Sequence, residues 1–184
     1  TYVITDSLDT IIDTGGNDTF RSTLDVVLPA DIENVELVGI GDTTATGNAA
    51  NNRLVGNMGD NILDGAGGVD TLTGGLGSDQ FMIAKNGTNA TPDDITDFTP
   101  GEDLLVVDLS AYGIDVAQLG LASSGLVSAT SFVKGAGVQA LDPNDYFLFD
   151  TARQVLSFDV DGNGLQAPVD LVHLFGSAAN NLTP

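Results

Sequence analysis

Cysteine is absent from the 184 residues, histidine occurs once, and only five side chains are basic: Arg21, Arg53, Lys85, Lys134 and Arg153. Each shortage excludes something. Without cysteine there is no disulfide framework, no iron–sulfur cluster and no thiolate zinc site. A lone His173 excludes a multi-histidine metal site. No uninterrupted apolar run approaches the roughly 20 residues of a membrane-spanning helix, so no membrane span is expected. The N-terminus has no basic segment followed by an apolar one. GxSxG elbows, HExxH helices, phosphate-binding loops and cysteine nucleophiles are all missing, so the chain reads as a non-enzyme. Paired carboxylates for glycoside hydrolysis are the one catalytic arrangement that so acidic a chain leaves open.

What the chain has in excess is acid. Twenty-six acidic residues give a formal net charge of −21, and all but Glu33, Glu36 and Glu102 are Asp, a turn and ligand residue rather than the Glu of a solvated helix. Phosphate-bearing partners are repelled, which excludes nucleic acid and anionic membrane surfaces. Aromatics make up only 6%, a composition shared with disordered chains. The hydrophobic share of 42% and a mean hydropathy of +0.15 argue the other way: the chain has enough Val, Ile and Leu for one core once its acids are neutralised. It begins at Thr1, which reads as a processed product or part of a longer precursor.

Glycine is concentrated between Gly47 and Gly77, and cutting every nine residues aligns that stretch without a gap: GNAANNRLV (47–55), GNMGDNILD (56–64), GAGGVDTLT (65–73) and GGLGSDQFM (74–82). Glycine opens each unit. The sixth column is Asn52, Asn61, Asp70 and Asp79, and the eighth is Leu54, Leu63, Leu72 and Phe81. Six residues rich in Gly, Asn and Asp form a turn, and the last three form a short strand whose central residue points to one side. One apolar residue in nine closes a core only if turns stack, with parallel strands about 4.8 Å apart and a continuous inward ladder. A less regular version of the pattern runs upstream, through DTGGNDTFR (13–21) and 38–46. We therefore expect an all-β chain with a solenoid over 1–83, its regular repeats at 47–82. A small antiparallel β cap over 84–184 is expected to pack on its end, with strands at LLVV (104–107, buried), DYFLFD, VLSFDV and PVDLVHLF. AYGIDVAQLG (111–120) has room for a helical turn.

Calcium is a hard cation that takes six to eight oxygen ligands, many of them backbone carbonyls. A turn that folds its carbonyls inward and adds a sixth-position carboxylate offers half of such a site, and two stacked turns offer a whole one. Because each turn reverses the chain, units on one side are 18 residues apart, which pairs Asn52 with Asp70 and Asn61 with Asp79.

These in-phase units match the pattern GGxGxDxUx, the calcium-binding repeat of RTX proteins. The chain resembles, over almost its full length, the C-terminal calcium-binding block of RTX (hemolysin-type) exoproteins. DDITDFTPGEDLLVVDLS resembles the segment after the last repeat, and YFLFDTARQVLSFDVDGNG the late hairpin. The resemblance implies a parallel β-roll and a ligand scheme in which first and third carbonyls and the sixth side chain of one turn meet second and fourth carbonyls and the sixth-position group of the facing one. One site would use Gly56, Met58 and Asn61 with Gly75, Gly77 and Asp79. Another would use Gly47, Ala49 and Asn52 with Ala66, Gly68 and Asp70. On the far side, Gly65, Gly67 and Asp70, and Gly74, Leu76 and Asp79, would be completed by Asp94 and Asp97. Asn supplies only a neutral oxygen where the motif has a carboxylate, so the Asn52 site is expected to be weak or empty. Two to four calcium ions are expected, centred on Asp70 and Asp79.

The resemblance further implies a folding and secretion module attached to an upstream domain, exported by a type I secretion machinery and folding on calcium outside the cell. A structural spacer or attachment module of a surface-layer protein or adhesin is the alternative. Sugar binding is a third reading, weakened for anionic polymers by the scarcity of basic residues. A second calcium pattern lies at Asp159, Asp161, Asn163 and Asp170, with the spacing of an EF-hand loop but strand flanks; the competing reading is a hairpin turn. His173, between Val172 and Leu174, reads as a structural or surface histidine.

Overall fold

Two inward ladders of single apolar residues organise the computed structural model, which describes residues 1–4, 15–83, 91–108, 132–142 and 145–175. Among these, every element is a strand. The first ladder belongs to a parallel run of β1 (Tyr2–Ile4), β2 (Thr19–Ser22), β4 (Asn34–Leu37), β6 (Arg53–Val55), β8 (Thr71–Thr73) and β10 (Asp93–Ile95). Phe20, Val35, Leu54, Leu72 and Ile95 stand in register along it. The second belongs to β3 (Val26–Val27), β5 (Thr44–Thr46), β7 (Ile62–Asp64), β9 (Gln80–Ile83) and β11 (Leu104–Val107), with Val26, Ala45, Leu63, Phe81 and Leu105 aligned. From β2 to β11 consecutive strands alternate between the two sheets, so each pair of turns advances the chain by one coil. The fold is the parallel β-solenoid, or β-roll, that the nine-residue period predicts.

The period places the core. Leu54, Leu63, Leu72 and Phe81 are all 0% exposed, and they belong to one buried cluster with their upstream and downstream counterparts. Each apolar Å² these ladders remove from water contributes about 25 cal/mol to the roll's stability. Three-residue strands suffice because the side chain needed by the core is the middle one.

The nonapeptide period ends near residue 83, but the ladders do not. Both β10 and β11 add further parallel rungs, onto β8 and β9. LLVV is a strand as expected, although less buried than its composition implies: it pairs only with β9 among the described strands, and Leu104 is 48% exposed.

Past the roll, β13 (Phe147–Asp150), β14 (Val155–Phe158) and β15 (Val169–Leu174) form the expected antiparallel hairpins. Two pairings go further. Strand β12 (Phe132–Gly135) lies parallel to β13, and β15 lies parallel to β10, so this region continues the roll's own sheet to ten strands instead of only packing against its end. The physical reason is the edge: β10 without a neighbour would present a row of unpaired N–H and C=O groups, and β15 covers it. Phe147 and Phe158 meet edge-on at 5.1 Å beneath this extension. The helical turn expected at 111–120 lies outside the described residues, as do most of the polar loop after β9 and the C-terminal tail.

Candidate metal centre

The sixth residues of successive turns stack into two columns, one at each edge of the roll. On one side Asn52 N–H donates to Asp70 Oδ1 at 2.7 Å and Asp70 N–H donates to Asp93 Oδ1 at 2.9 Å. On the other, Asn61 N–H donates to Asp79 Oδ1 at 2.8 Å and Asp79 N–H to Asp103 Oδ1 at 3.0 Å. All four repeat residues are at most 3% exposed. The 18-residue pairing of Asn52 with Asp70 and of Asn61 with Asp79 is thus present as direct backbone-to-side-chain contact.

Beyond that shared bond the turns divide into two kinds. In the first two units the sixth-position amide is closed within its own turn: Asn48 N–H donates to Asn52 Oδ1, and Asn57 N–H to Asn61 Oδ1, each at 2.7 Å. The second-position amides finish the closure. Asn48 Oδ1 accepts from Ala50 N–H and its Nδ2 donates to the Pro29 and Ile32 carbonyls; Asn57 Oδ1 accepts from Gly59 N–H and its Nδ2 donates to the Gly41 carbonyl. In both turns the second- and sixth-position closure is made by neutral amides alone.

The next two units lack those amides. Ala66 N–H goes instead to Asp64 Oδ1, and the Gly74 and Gly75 N–H groups go to the two oxygens of Asp97, each at 2.9 Å. The backbone differs as well. Ala66 and Gly68 have φ of 64° and 115°, Gly75 and Gly77 of 103° and 111°, while Asn48, Ala50, Asn57 and Gly59 stay out of the left-handed region. Asp70 Oδ2 is buried with no hydrogen-bond partner.

An orphaned carboxylate oxygen in a buried site is costly unless something positive meets it. Burial, reinforced by the Asp93 and Asp64 carboxylates and opposed by the Asn52 N–H, pushes the Asp70 carboxyl up to about 7. Burial likewise pushes Asp79 up to about 6, with Asp103, Asp97 and Asp60 adding to it and the Asn61 N–H opposing it. Both groups therefore sit where a cation would be most favourable.

The donor set around them is all oxygen. Among the described residues, first-, third- and fourth-position carbonyls of the four turns receive none of the turn-to-turn hydrogen bonds, whereas the second-position carbonyls of Asn48 and Asn57 accept from Gly67 and Leu76. First-position glycine is required by space: a Cβ at Gly56 would overlap the Gly74 carbonyl, and one at Gly65 or Gly74 would overlap the Asp70 or Asp79 carboxylate. Among the described residues no three His, Asp or Glu side chains converge as a metal cluster. Each of the two Asp turns contributes its sixth-position carboxylate and several carbonyls, a set that suits a hard divalent ion and offers nothing to a soft one.

Placement of the other expected ligands is uneven. Asp97 does close the Gly74–Gly75 turn. Asp94 does not reach a turn: Ile95 must point inward at 0% exposure, so its neighbour on β10 points outward, where Asp94 Oδ1 lies 2.8 Å from His173 Nδ1. The closing acid there is Asp93, and across the roll it is Asp103, whose second oxygen accepts from Thr99 N–H. Neither belongs to the ligand set expected from the sequence, in which Asp103 reads as a solvated loop acid. Both carry the signal of their repeat counterparts, an Asp two residues before an inward apolar side chain (Asp93 before Ile95, Asp103 before Leu105).

At 159–164 the chain winds through successive side-chain-closed turns instead of a two-residue hairpin turn. Asp159, fully buried, accepts from the N–H groups of Asp161, Gly162 and Gly164; Asp161 accepts from Asn163 and Gln166. Burial, together with the adjoining Asp161 carboxylate, raises the Asp159 pKa. Asp170, the twelfth residue of the loop pattern, is held by Arg153 and by Ser157 Oγ at 2.6 Å and is not turned to the loop. The loop is thus satisfied by its own amides.

Fold and site together define a parallel β-roll with buried carboxylate turns at both edges. Compared with known proteins, the chain matches no family model and no curated protein. Among the described residues no helix is long and apolar enough to cross a membrane.

Proposed function

We propose that this chain is a calcium-binding roll of the RTX type, which folds on calcium outside the cell as the C-terminal folding and secretion module of a larger protein exported by a type I system. The observation that carries the reading is Asp70: a carboxylate 1% exposed, with one oxygen unpartnered, in a stack of oxygen-only turns. The residues that would hold calcium are Gly65, Gly67 and Asp70 with Asp93 on one edge, and Gly74, Leu76 and Asp79 with Asp97 and Asp103 on the other. A bound ion supplies the positive charge that lets these buried carboxylates ionise without penalty. Each site filled to a hundred times its Kd stabilises the folded chain by about 2.7 kcal/mol. Extracellular calcium modules work at Kd of about 10⁻⁴–10⁻³ M, which leaves them empty in a low-calcium cytosol.

Calorimetric titration with calcium, paired with thermal melts in EDTA and in millimolar calcium, tests the proposal. Binding heat and a higher Tm in calcium, reversed by EDTA, are expected. No binding heat and superimposable melts would sink it.

A further inference from the structure

We infer that the roll is built in two parts, an N-terminal part whose turns are complete without an ion and a C-terminal part, from Gly65 onward, whose turns need one, so that calcium governs the second part alone. This rests on the calcium reading above and specifies where in the fold the ion acts.

Three independent features divide the repeats at the same point. The first is hydrogen bonding. Asn48 with Asn52, and Asn57 with Asn61, close their turns by amide-to-backbone bonds, each sixth-position oxygen taking the second-position N–H at 2.7 Å. In the following units that N–H is taken by Asp64 or Asp97, and Asp70 keeps an unpartnered oxygen. The second is backbone conformation: second and fourth positions are left-handed at Ala66, Gly68, Gly75 and Gly77 and not at Asn48, Ala50, Asn57 and Gly59. The third is composition, since Asn at the second position goes with Asn at the sixth, and Gly or Ala with Asp. An amide carries both a donor and an acceptor and can satisfy itself on either side; a carboxylate carries only acceptors. The Asn pair thus does with two neutral side chains what the Asp turns require a cation to do.

The upstream coils extend the ion-independent part. Asn61 Nδ2 donates to Thr43 Oγ1 at 3.3 Å, and Asn52 Nδ2 to the Glu33 carbonyl at 3.2 Å, so the amide turns are tied backward to rungs already formed. Downstream, the carboxylate turns are tied forward to Asp93 and Asp103, at the base of β10 and β11, the first of which carries β15. Loss of the ion would therefore release the last rungs and the hairpins hydrogen-bonded to them, leaving the amide-closed coils standing.

Hydrogen–deuterium exchange of the full chain, in EDTA and in saturating calcium, reads this directly. Segments from 19 to 64 are expected to exchange at similar rates in both conditions. Segments 65–83, 93–107 and 147–174 are expected to slow by about tenfold or more on calcium addition. If every segment slows together, the two-part inference fails while calcium binding stands. If no segment responds, the calcium reading fails and the inference with it. A pair of exchanged turns gives a second readout. Asn48→Gly with Asn52→Asp is expected to make 47–55 calcium-dependent, and Ala66→Asn with Asp70→Asn to free 65–73 from that dependence. Unchanged calcium dependence of both segments in folded variants would overturn the inference.

Discussion

The backbone N–H of Asn52 donates to Asp70 Oδ1 at 2.7 Å, joining a turn closed by amides to one that holds a buried carboxylate. Only one of the two carboxylate oxygens is used in this way; the other has no hydrogen-bond partner. The metal-free fold is thus burdened at Asp70 in a way it is not at Asn52. Replacing Asp70 by Asn removes the charge and keeps the shape. Asp70→Asn is expected to stabilise the chain in EDTA by about 1–3 kcal/mol, the usual cost of an unsatisfied buried polar group, and to shrink the gain on calcium addition. Urea denaturation in both conditions measures it. A variant less stable than the parent in EDTA would count against the ion-seeking role of Asp70.

The same burial makes the metal-free chain sensitive to pH in an unusual direction. Asp70 and Asp79 are raised to about 7 and about 6, above the ordinary 3.8 of the unfolded chain. Between pH 4 and 7 the folded state therefore binds more protons than the unfolded one, so stability falls as pH rises, by up to about 1.4 kcal/mol per pH unit for each group. In EDTA the midpoint of denaturation should be higher at pH 5 than at pH 8. Saturating calcium replaces the proton and should reverse or flatten that slope, and the apparent calcium affinity should weaken on acidification. A metal-free chain that becomes more stable from pH 5 to pH 8 would show that these carboxylates are ionised without a cation.

Two glycines of neighbouring units, Gly74 in the first column and Gly67 in the third, show where space is needed and where it is not. At Gly74 an added Cβ would overlap the Asp79 carboxylate and come within 3.0 Å of the Phe81 ring. At Gly67 the nearest atom to a Cβ is 3.7 Å away and the backbone is not left-handed. Gly74→Ala is expected to cost about 1–3 kcal/mol or more as an overpacked substitution, whereas Gly67→Ala should fall within about 0.5 kcal/mol of the parent. Thermal melts of the two variants in calcium give the comparison. Equal effects would mean that the turn interior is less filled than the Gly74 contacts show.

Much of this was legible in the residues because the repeat is local. A period of nine with Leu54, Leu63, Leu72 and Phe81 in one column fixes both the strands and the core, and the hairpins around TARQ and DGNG announce themselves by turn residues between apolar runs. What escaped is non-local or off-period. The facing acids Asp93 and Asp103 lie 23 and 24 residues from their partners Asp70 and Asp79 instead of 18, so a fixed register steps over them. The pairing of β15 with β10 joins Asp94 to His173 across 79 residues, and no local pattern encodes it. That two kinds of turn exist could be read from Asn48 with Asn52 against Ala66 with Asp70; which hydrogen bonds make the difference could not, because they depend on the backbone path of the second residue.

Adjacent residues on β10 offer the sharpest test of where the closing acids lie. Asp93 is 3% exposed, points into the roll edge and accepts from Asp70 N–H at 2.9 Å; Asp94 points outward and bonds His173. The outward pair is half-exposed, its side chains 39% and 25% accessible, and a surface pair of this kind contributes about 0–1 kcal/mol. Asp94→Asn should therefore leave both the calcium affinity and the calcium-dependent rise in Tm near the parent values. Asp93→Asn removes the one side-chain acceptor facing the Asp70 N–H that carries a charge, and should weaken calcium binding severalfold while leaving the EDTA form no less stable, since one of the carboxylates that crowd Asp70 is gone. Calorimetric titration of the two variants side by side decides the matter: a larger loss of affinity in Asp94→Asn than in Asp93→Asn would place the ligand on the outer face, against the inward direction that Ile95 imposes on the strand.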